Sequence, residues 1–151
     1  MRGVAQRVQP CAVIAIDALA SRSVSRPDAK SVSKKQERLQ RIALEAAKQS
    51  GRGIIPEIGK MTDLESALRT APGKKILFYE GGGEALGTLV SPDEAEVSVF
   101  IGPEGGFDAA EVQLAKQYGA TPATLGPRIL RTETAPLAAL SVLMYITGNM
   151  Q

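Results

Sequence analysis

Short apolar runs alternate along this chain with segments in which apolar residues return every three or four positions. The runs Cys11–Ile16, Lys75–Glu80, Val97–Ile101 and Pro122–Leu125 are four to six residues long, the length of buried strands. For Cys11–Ile16 a helical segment fits the pattern as well. The helical periods lie between these runs. Ser33 with Gln36 makes a capping-box pattern, Leu39, Ile42, Ala43, Ala46 and Ala47 follow at helical spacing, and Gly51 stands at the C-cap position. Thr62 with Glu65 predicts a second, short helix through Leu68. Asp108 with Glu111 predicts a third, through Val112, Ala115 and Tyr118 and closed by Gly119. Ile54–Ile58 reads as a short edge strand because it contains Pro56. The polar, basic stretch 20–33 reads as a loop, and residues 1–10 as a ragged terminus. A last helix is predicted from about Glu133 to Thr147, with Gly148 beyond it and apolar residues on nearly every face. A helix apolar all round is buried, and at the end of a small domain this implies a second subunit. Strands alternating with helices predict an α/β fold, a mostly parallel sheet with helices on both faces.

Composition narrows the chemistry. The 151 residues suit one domain, and no internal repeat or linker divides them. The apolar run Ala135–Ile146 is shorter than the roughly 20 residues a membrane span needs, and Met1–Arg7 lacks the pattern of a signal peptide. With one cysteine, Cys11, and no histidine, an internal disulfide and a transition-metal site are not expected. Cys11 reads as a core residue, and a reducing cytoplasm fits best. Without histidine, proton transfer falls to carboxylates, Tyr, Lys or water. The net charge of +2 conceals an asymmetry: residues 1–60 hold 12 Lys/Arg against 5 Asp/Glu, a net +7, and the remainder is net −5. A basic front half suits phosphate backbones, and ordinary solvated faces would look the same.

Two loops carry most of the functional information. Gly102-Pro103-Glu104-Gly105-Gly106 follows the run Val97–Ile101, and Leu125-Gly126-Pro127-Arg128-Ile129-Leu130-Arg131 follows Pro122–Thr124. Ligands of open α/β sheets bind at the carboxyl ends of strands, so two such loops about 24 positions apart predict one composite pocket. The first loop, Gly102–Gly106, is not a P-loop, because no Lys-Ser or Lys-Thr follows. Gly81-Gly82-Gly83 fails as a dinucleotide fingerprint, since Leu86 occupies the third glycine position. It reads as a strand-to-loop turn or a ligand border. Glu104 suits a cationic or hydroxyl-bearing ligand, or caps nearby amides. Arg128 and Arg131 precede Thr132, a candidate helix N-cap. They offer forks for carboxylates, phosphates or base carbonyls, or pair internally, Arg131 with Glu133 or Glu104. Arg52 either complements a helix dipole or faces RNA.

Taken in order and spacing, Ile101–Phe107 and Leu125–Ala135 resemble the catalytic domain of the bacterial small-subunit (16S) rRNA uracil-N3 methyltransferases, which belong to the SPOUT class. Glu45–Arg52 followed by Ile55-Pro56-Glu57, and Phe78-Tyr79-Glu80-Gly81, match further blocks. The resemblance covers residues 34–148 and is loose over 1–33, where Arg22-Ser23-Val24 aligns. It implies a sheet whose C-terminal segment forms a trefoil knot, a homodimer, and a pocket for S-adenosylmethionine. The cofactor residues carried over are Tyr79, Glu80 and Gly81; Gly102, Pro103, Glu104, Gly105 and Gly106; and Leu125, Gly126, Ile129, Leu130 and Arg131. Arg131 or Arg128 would stabilise charge developing on the uracil oxygens, and Glu133, or a water it orders, would be the base. Arg22 and Arg52 would hold the phosphates of small-subunit rRNA. The family's usual N-terminal RNA-binding barrel is not recognisable, so a single, N-terminally incomplete methyltransferase domain is expected. Pro136 replaces a small helix former at a first-turn position that tolerates it. A non-catalytic, dimeric RNA-binding or ribosome-assembly module with the same fold, or an enzyme of this class acting at another RNA position, remain as alternatives.

Overall fold

In the computed structural model, which describes residues 29–51 and 53–150, four short strands form one wholly parallel sheet. The strands are β1 (Lys74–Phe78), β2 (Glu84–Ala85), β3 (Val97–Ile101) and β4 (Ala120–Thr124), in the order β2-β4-β1-β3. β1 pairs with β3 from Lys74↔Val97 to Phe78↔Ile101, and with β4 from Lys75↔Ala120 to Phe78↔Ala123. The helices are α1 (Ala29–Gln49), α2 (Leu64–Thr70), α3 (Leu86–Leu89), α4 (Ala109–Gln117) and α5 (Ala135–Ile146).

Alternate residues of β1, β3 and β4 feed two separate cores, as expected of a sheet covered on both faces. Leu77 and Phe100 join Leu64, Leu68 and Val112 under α2 and α4. Ile76, Val99 and Ala123 join Leu86, Ala139 and Leu143 under α3 and α5. The one buried polar side chain among the described residues, Ser98, donates to Pro72 O at 2.6 Å, so its burial leaves no orphaned hydroxyl. The interior strand β4 contains Pro122, which strands tolerate only where no ladder donor is needed. Ala123 O accepts from Tyr79 N at 3.1 Å, so Ala123 turns its polar groups toward β1 and Pro122 turns its own toward β2. Pairing with β2 begins only at Glu84↔Ala123. Gly83 lies against the same stretch: a Cβ there would stand 2.5 Å from Pro122 O.

The helix predicted from Asp108 has its full capping box. Asp108 Oδ1 accepts from Glu111 N at 2.8 Å, and Asp108 N donates to Glu111 Oε2 at 2.9 Å. Phe107 and Val112 sit in the same apolar cluster at the N′ and N4 positions of a hydrophobic staple. Other starts differ from expectation. α1 begins at Ala29, so Ser33 lies within it and caps nothing. No Gly or Pro interrupts 29–33, and its hydroxyl faces Glu37 instead. α2 is capped by Asp63 rather than Thr62, the carboxylate accepting from Ser66 N at 2.8 Å. α5 has Thr134, not Thr132, at its N-cap, and Pro136 sits in its first turn. The four-residue α3 and two-residue β2 after the triple glycine lack any side-chain cap signal and were not expected.

Ile54–Ile58 is not a strand of the sheet. Its backbone is held by two glutamines of α1: Gln40 Oε1 accepts from Ile58 N at 2.8 Å, and Gln40 Nε2 and Gln36 Nε2 donate to Pro56 O and Ile58 O at 3.0 and 2.9 Å. The side-chain amide of Gln40 supplies the donor and acceptor that a neighbouring strand would have supplied. The Cys11–Ile16 segment and the polar stretch 20–28 lie outside the described residues.

Candidate functional site

Because all strands are parallel, the carboxyl ends of β1, β3 and β4 open on one edge of the sheet, and the expected loops leave from there. They enclose a cavity of about 620 Å³, within the range of small-molecule sites. The last residues of the strands, Phe78, Ile101, Ala123 and Thr124, form part of its lining. A rim of mixed charge surrounds it: Glu80, Glu104 and Glu133 with Arg128 and Arg131.

The loop after β3 turns tightly. Gly106 N donates to Pro103 O at 2.8 Å, and Gly106 has φ +66, a region that favours glycine. A Cβ on Gly106 would come within 2.9 Å of Glu80 Oε1. The missing side chain thus makes room for the carboxylate arriving from the end of β1, and two loops distant in sequence meet. The loop after β4 is pinned at its root. The Thr124 hydroxyl accepts from Gly126 N at 3.1 Å and donates to Gly126 O at 2.9 Å. Beyond it Ile129 is 76% exposed. Arg131 Nη1 stands 4.0 Å from Glu133 Oε1, with both side chains largely in solvent. So loose a surface pair holds its partners weakly, and both groups can turn toward a ligand.

The sequence-derived set is therefore largely one constellation. Tyr79, Glu80, Gly102, Pro103, Glu104, Gly106, Leu125, Gly126, Arg128, Ile129, Leu130, Arg131 and Glu133 all line the cavity. Gly81 and Gly105 belong to the same loops without lining it. Arg22 and Arg52 lie outside the described residues. The strand-terminal residues, together with Phe107, Pro127, Thr132 and Ala135, complete the wall; of these, Ala123 and Thr124 read from the sequence only as strand positions. The sign of their second role was their place at the carboxyl end of a strand or just past it. Among the described residues no group of His, Cys, Asp and Glu is arranged to hold a metal. No described helix is long and apolar enough to cross a membrane.

Comparison with known proteins agrees with this geometry. Residues 12–144 match the RNA methyltransferase domain family. The ribosomal RNA small subunit methyltransferase E of Bacillus subtilis is 42% identical over 138 residues, covering 85% of this chain and 54% of that protein. A Legionella pneumophila structure with the bound cofactor SAM superposes with a TM-score of 0.79 at 33% identity, covering 86% of this chain and 54% of that one. The Neisseria gonorrhoeae ribosomal RNA small subunit methyltransferase E bound to S-adenosyl methionine gives 0.75 at 36% identity, covering 84% and 53%. The chain spans about half the length of the curated relatives it matches.

Proposed function

Since the chain belongs to the RNA methyltransferase domain family, we propose that it binds S-adenosylmethionine and methylates N3 of a uridine in small-subunit (16S) ribosomal RNA. The observation that carries this reading is the cavity. Both diagnostic loops and the end of β1 converge on it, and two structural relatives with the same fold were solved with that cofactor.

The residues fit such a ligand. The cavity is large enough, glycine backbone at 102, 106 and 126 lets a ligand approach the main chain, and Phe78, Ile101 and Leu125 offer apolar contact. Glu80 and Glu104 carry the negative charge that suits hydroxyls and a cationic group. When bound, S-adenosylmethionine supplies an electrophilic methyl group on a sulfonium. The chain's own contribution is then positioning, a large part of the barrier in such displacements, and management of the uracil proton. Glu133, or a water it orders, takes the proton from N3. Arg131 or Arg128 stabilises the charge that spreads onto the flanking carbonyl oxygens, as preorganised donors do. Both arginines and Glu133 lie on the cavity's rim, where a base presented by RNA can reach them. Arg22 and Arg52 contribute phosphate contacts.

The reading extends to architecture and setting. The fold is of the SPOUT class, with a trefoil knot in its C-terminal segment. Support comes from β4, inserted late in sequence between β2 and β1, and from the loop that leaves it for α5. The molecule works as a cytoplasmic homodimer, consistent with the apolar residues α5 leaves in solvent, Leu137 and Tyr145 at 67% exposure each.

Titration calorimetry with S-adenosylmethionine tests the cofactor site, with saturable binding expected. Absence of heat at millimolar ligand overturns the reading. Methyl incorporation into 16S RNA, with the product mapped by mass spectrometry, tests the reaction. Arg131→Ala is expected to lower incorporation by about 10²–10³-fold, the usual cost of one charge-stabilising donor. Methylation elsewhere, or RNA binding without turnover, identifies one of the two alternative activities.

A further inference from the structure

α1 carries a basic stripe that the cavity chemistry does not use. At about 100° per residue, Lys34, Arg38, Arg41 and Lys48 fall within an arc of about 80°. All four side chains are exposed. The opposite face holds Leu39, Ala43 and the buried Ala47, and it carries Gln36 and Gln40, which grip the segment 56–58. The stripe therefore points away from the described contacts of α1. From Lys34 to Lys48 it runs about 21 Å along the helix.

An ordinary solvated helix face neutralises its charges with opposite partners one turn away. Here the helix has two acidic residues: Glu45 lies within the arc and pairs with Lys48 at 3.0 Å, and Glu37 lies at its margin and accepts from Ser33 Oγ at 3.4 Å. Four cations against two carboxylates leave the face net positive. Among the described residues, Lys34, Arg38 and Arg41 have no ion pair. Three like charges within about 10 Å of helix repel one another, and a polyanion relieves that repulsion while releasing its own counterions.

We propose that the Lys34–Arg38–Arg41 face of α1 is a docking surface for the phosphate backbone of the RNA substrate. The proposal rests on the RNA-methylating reading above and adds to it the surface that holds the strand. Phosphate contacts fix register and carry no sequence information, so this face contributes affinity while base choice stays with the cavity. Lysine supplies a point charge there and the two arginines supply planar forks.

The test uses the whole chain and a single-stranded 16S RNA fragment containing a uridine, with affinity followed against salt. Each phosphate contact on a single strand contributes about 0.7 to the slope of log affinity against log salt. Combining Lys34→Ala, Arg38→Ala and Arg41→Ala is expected to flatten that slope by about 2. It should leave thermal unfolding and S-adenosylmethionine affinity unchanged. A control that removes equal charge from exposed positions off this face, Lys60→Ala, Arg69→Ala and Lys116→Ala, is expected to keep the wild-type slope. An unchanged slope in the α1 variant overturns the proposal, as does an equal loss in the control. So does a wild type that binds phosphatidylserine vesicles in preference to RNA. Failure of the cofactor titration is a separate result and counts against the methyltransferase reading itself.

Discussion

Asp63 does two jobs at the start of α2. Its carboxylate accepts from Ser66 N and from Ser66 Oγ, each at 2.8 Å. The backbone hydrogen bond from Ser66, then that residue's hydroxyl, hold the Asp63 pKa below its ordinary value. A depressed carboxylate contributes stability in full above the unfolded value of about 3.9, and loses it as pH falls through the folded value. Thermal melts between pH 5 and 2 are therefore expected to show a component of acid destabilisation that Asp63→Asn removes. An identical acid slope in that variant contradicts the assignment. Tyr118 shows the opposite direction: its hydroxyl donates to Glu65 Oε1 at 2.6 Å, which raises its pKa. At this scale the candidate site was partly readable. Gly102, Glu104, Gly126 and Arg131 stand out because glycine, proline and charge together are unusual after an apolar run. Ala123 and Thr124 did not stand out, since each is a residue type that any strand position would accept. Their place in the site follows from strand register, which is a non-local property.

Among the elements, the clearest successes of sequence reading are those whose determinants are local. The Asp108 capping box and the glycines closing α1 and α4 act within a few residues, so spacing alone revealed them. α3 has neither cap nor helical run and includes Gly87. Its position is fixed by Leu86 in the core and by Lys74, whose Nζ donates to Leu89 O at 2.6 Å and pairs with Glu94 at 2.8 Å. Ile54–Ile58 was misread for the same reason. Its short apolar run with Pro56 resembles an edge strand, but its partner is Gln40, 18 residues before Ile58. Replacing Gln40 with Ala removes both a donor and an acceptor from that backbone. Faster hydrogen exchange at the Ile58 amide is expected, with little change at the core amide of Leu77. Unchanged protection at Ile58 would show that the clamp is dispensable.

Across the molecule, two cores on opposite faces of one sheet account for most of the buried apolar surface, and α5 divides itself between roles. Ala139 and Leu143 are buried on the sheet and Ala135 is buried beside the cavity, whereas Leu137 and Tyr145 are two-thirds exposed. The uniformly apolar pattern of this helix signals that second face, which a single chain leaves in water. If a second copy covers it, as proposed, Leu137→Glu with Tyr145→Glu is expected to convert a dimer to a monomer in sedimentation velocity without lowering helix content. A wild type that sediments as a monomer throughout the micromolar range contradicts this.

The position of β4 also has a consequence for the order in which the molecule can assemble. Among the described residues β2 has no neighbour except β4, and β1 lacks one of its two neighbours until β4 arrives. During synthesis, β1 and β3 can pair once residue 101 is available. The edge formed by β2 must wait for residues 120–124, and the floor of the cavity waits with it. Such late, non-local pairing is slow. The nascent chain therefore passes through an interval in which β1 presents an open edge, and the cavity cannot close before residues 120–135 have been made.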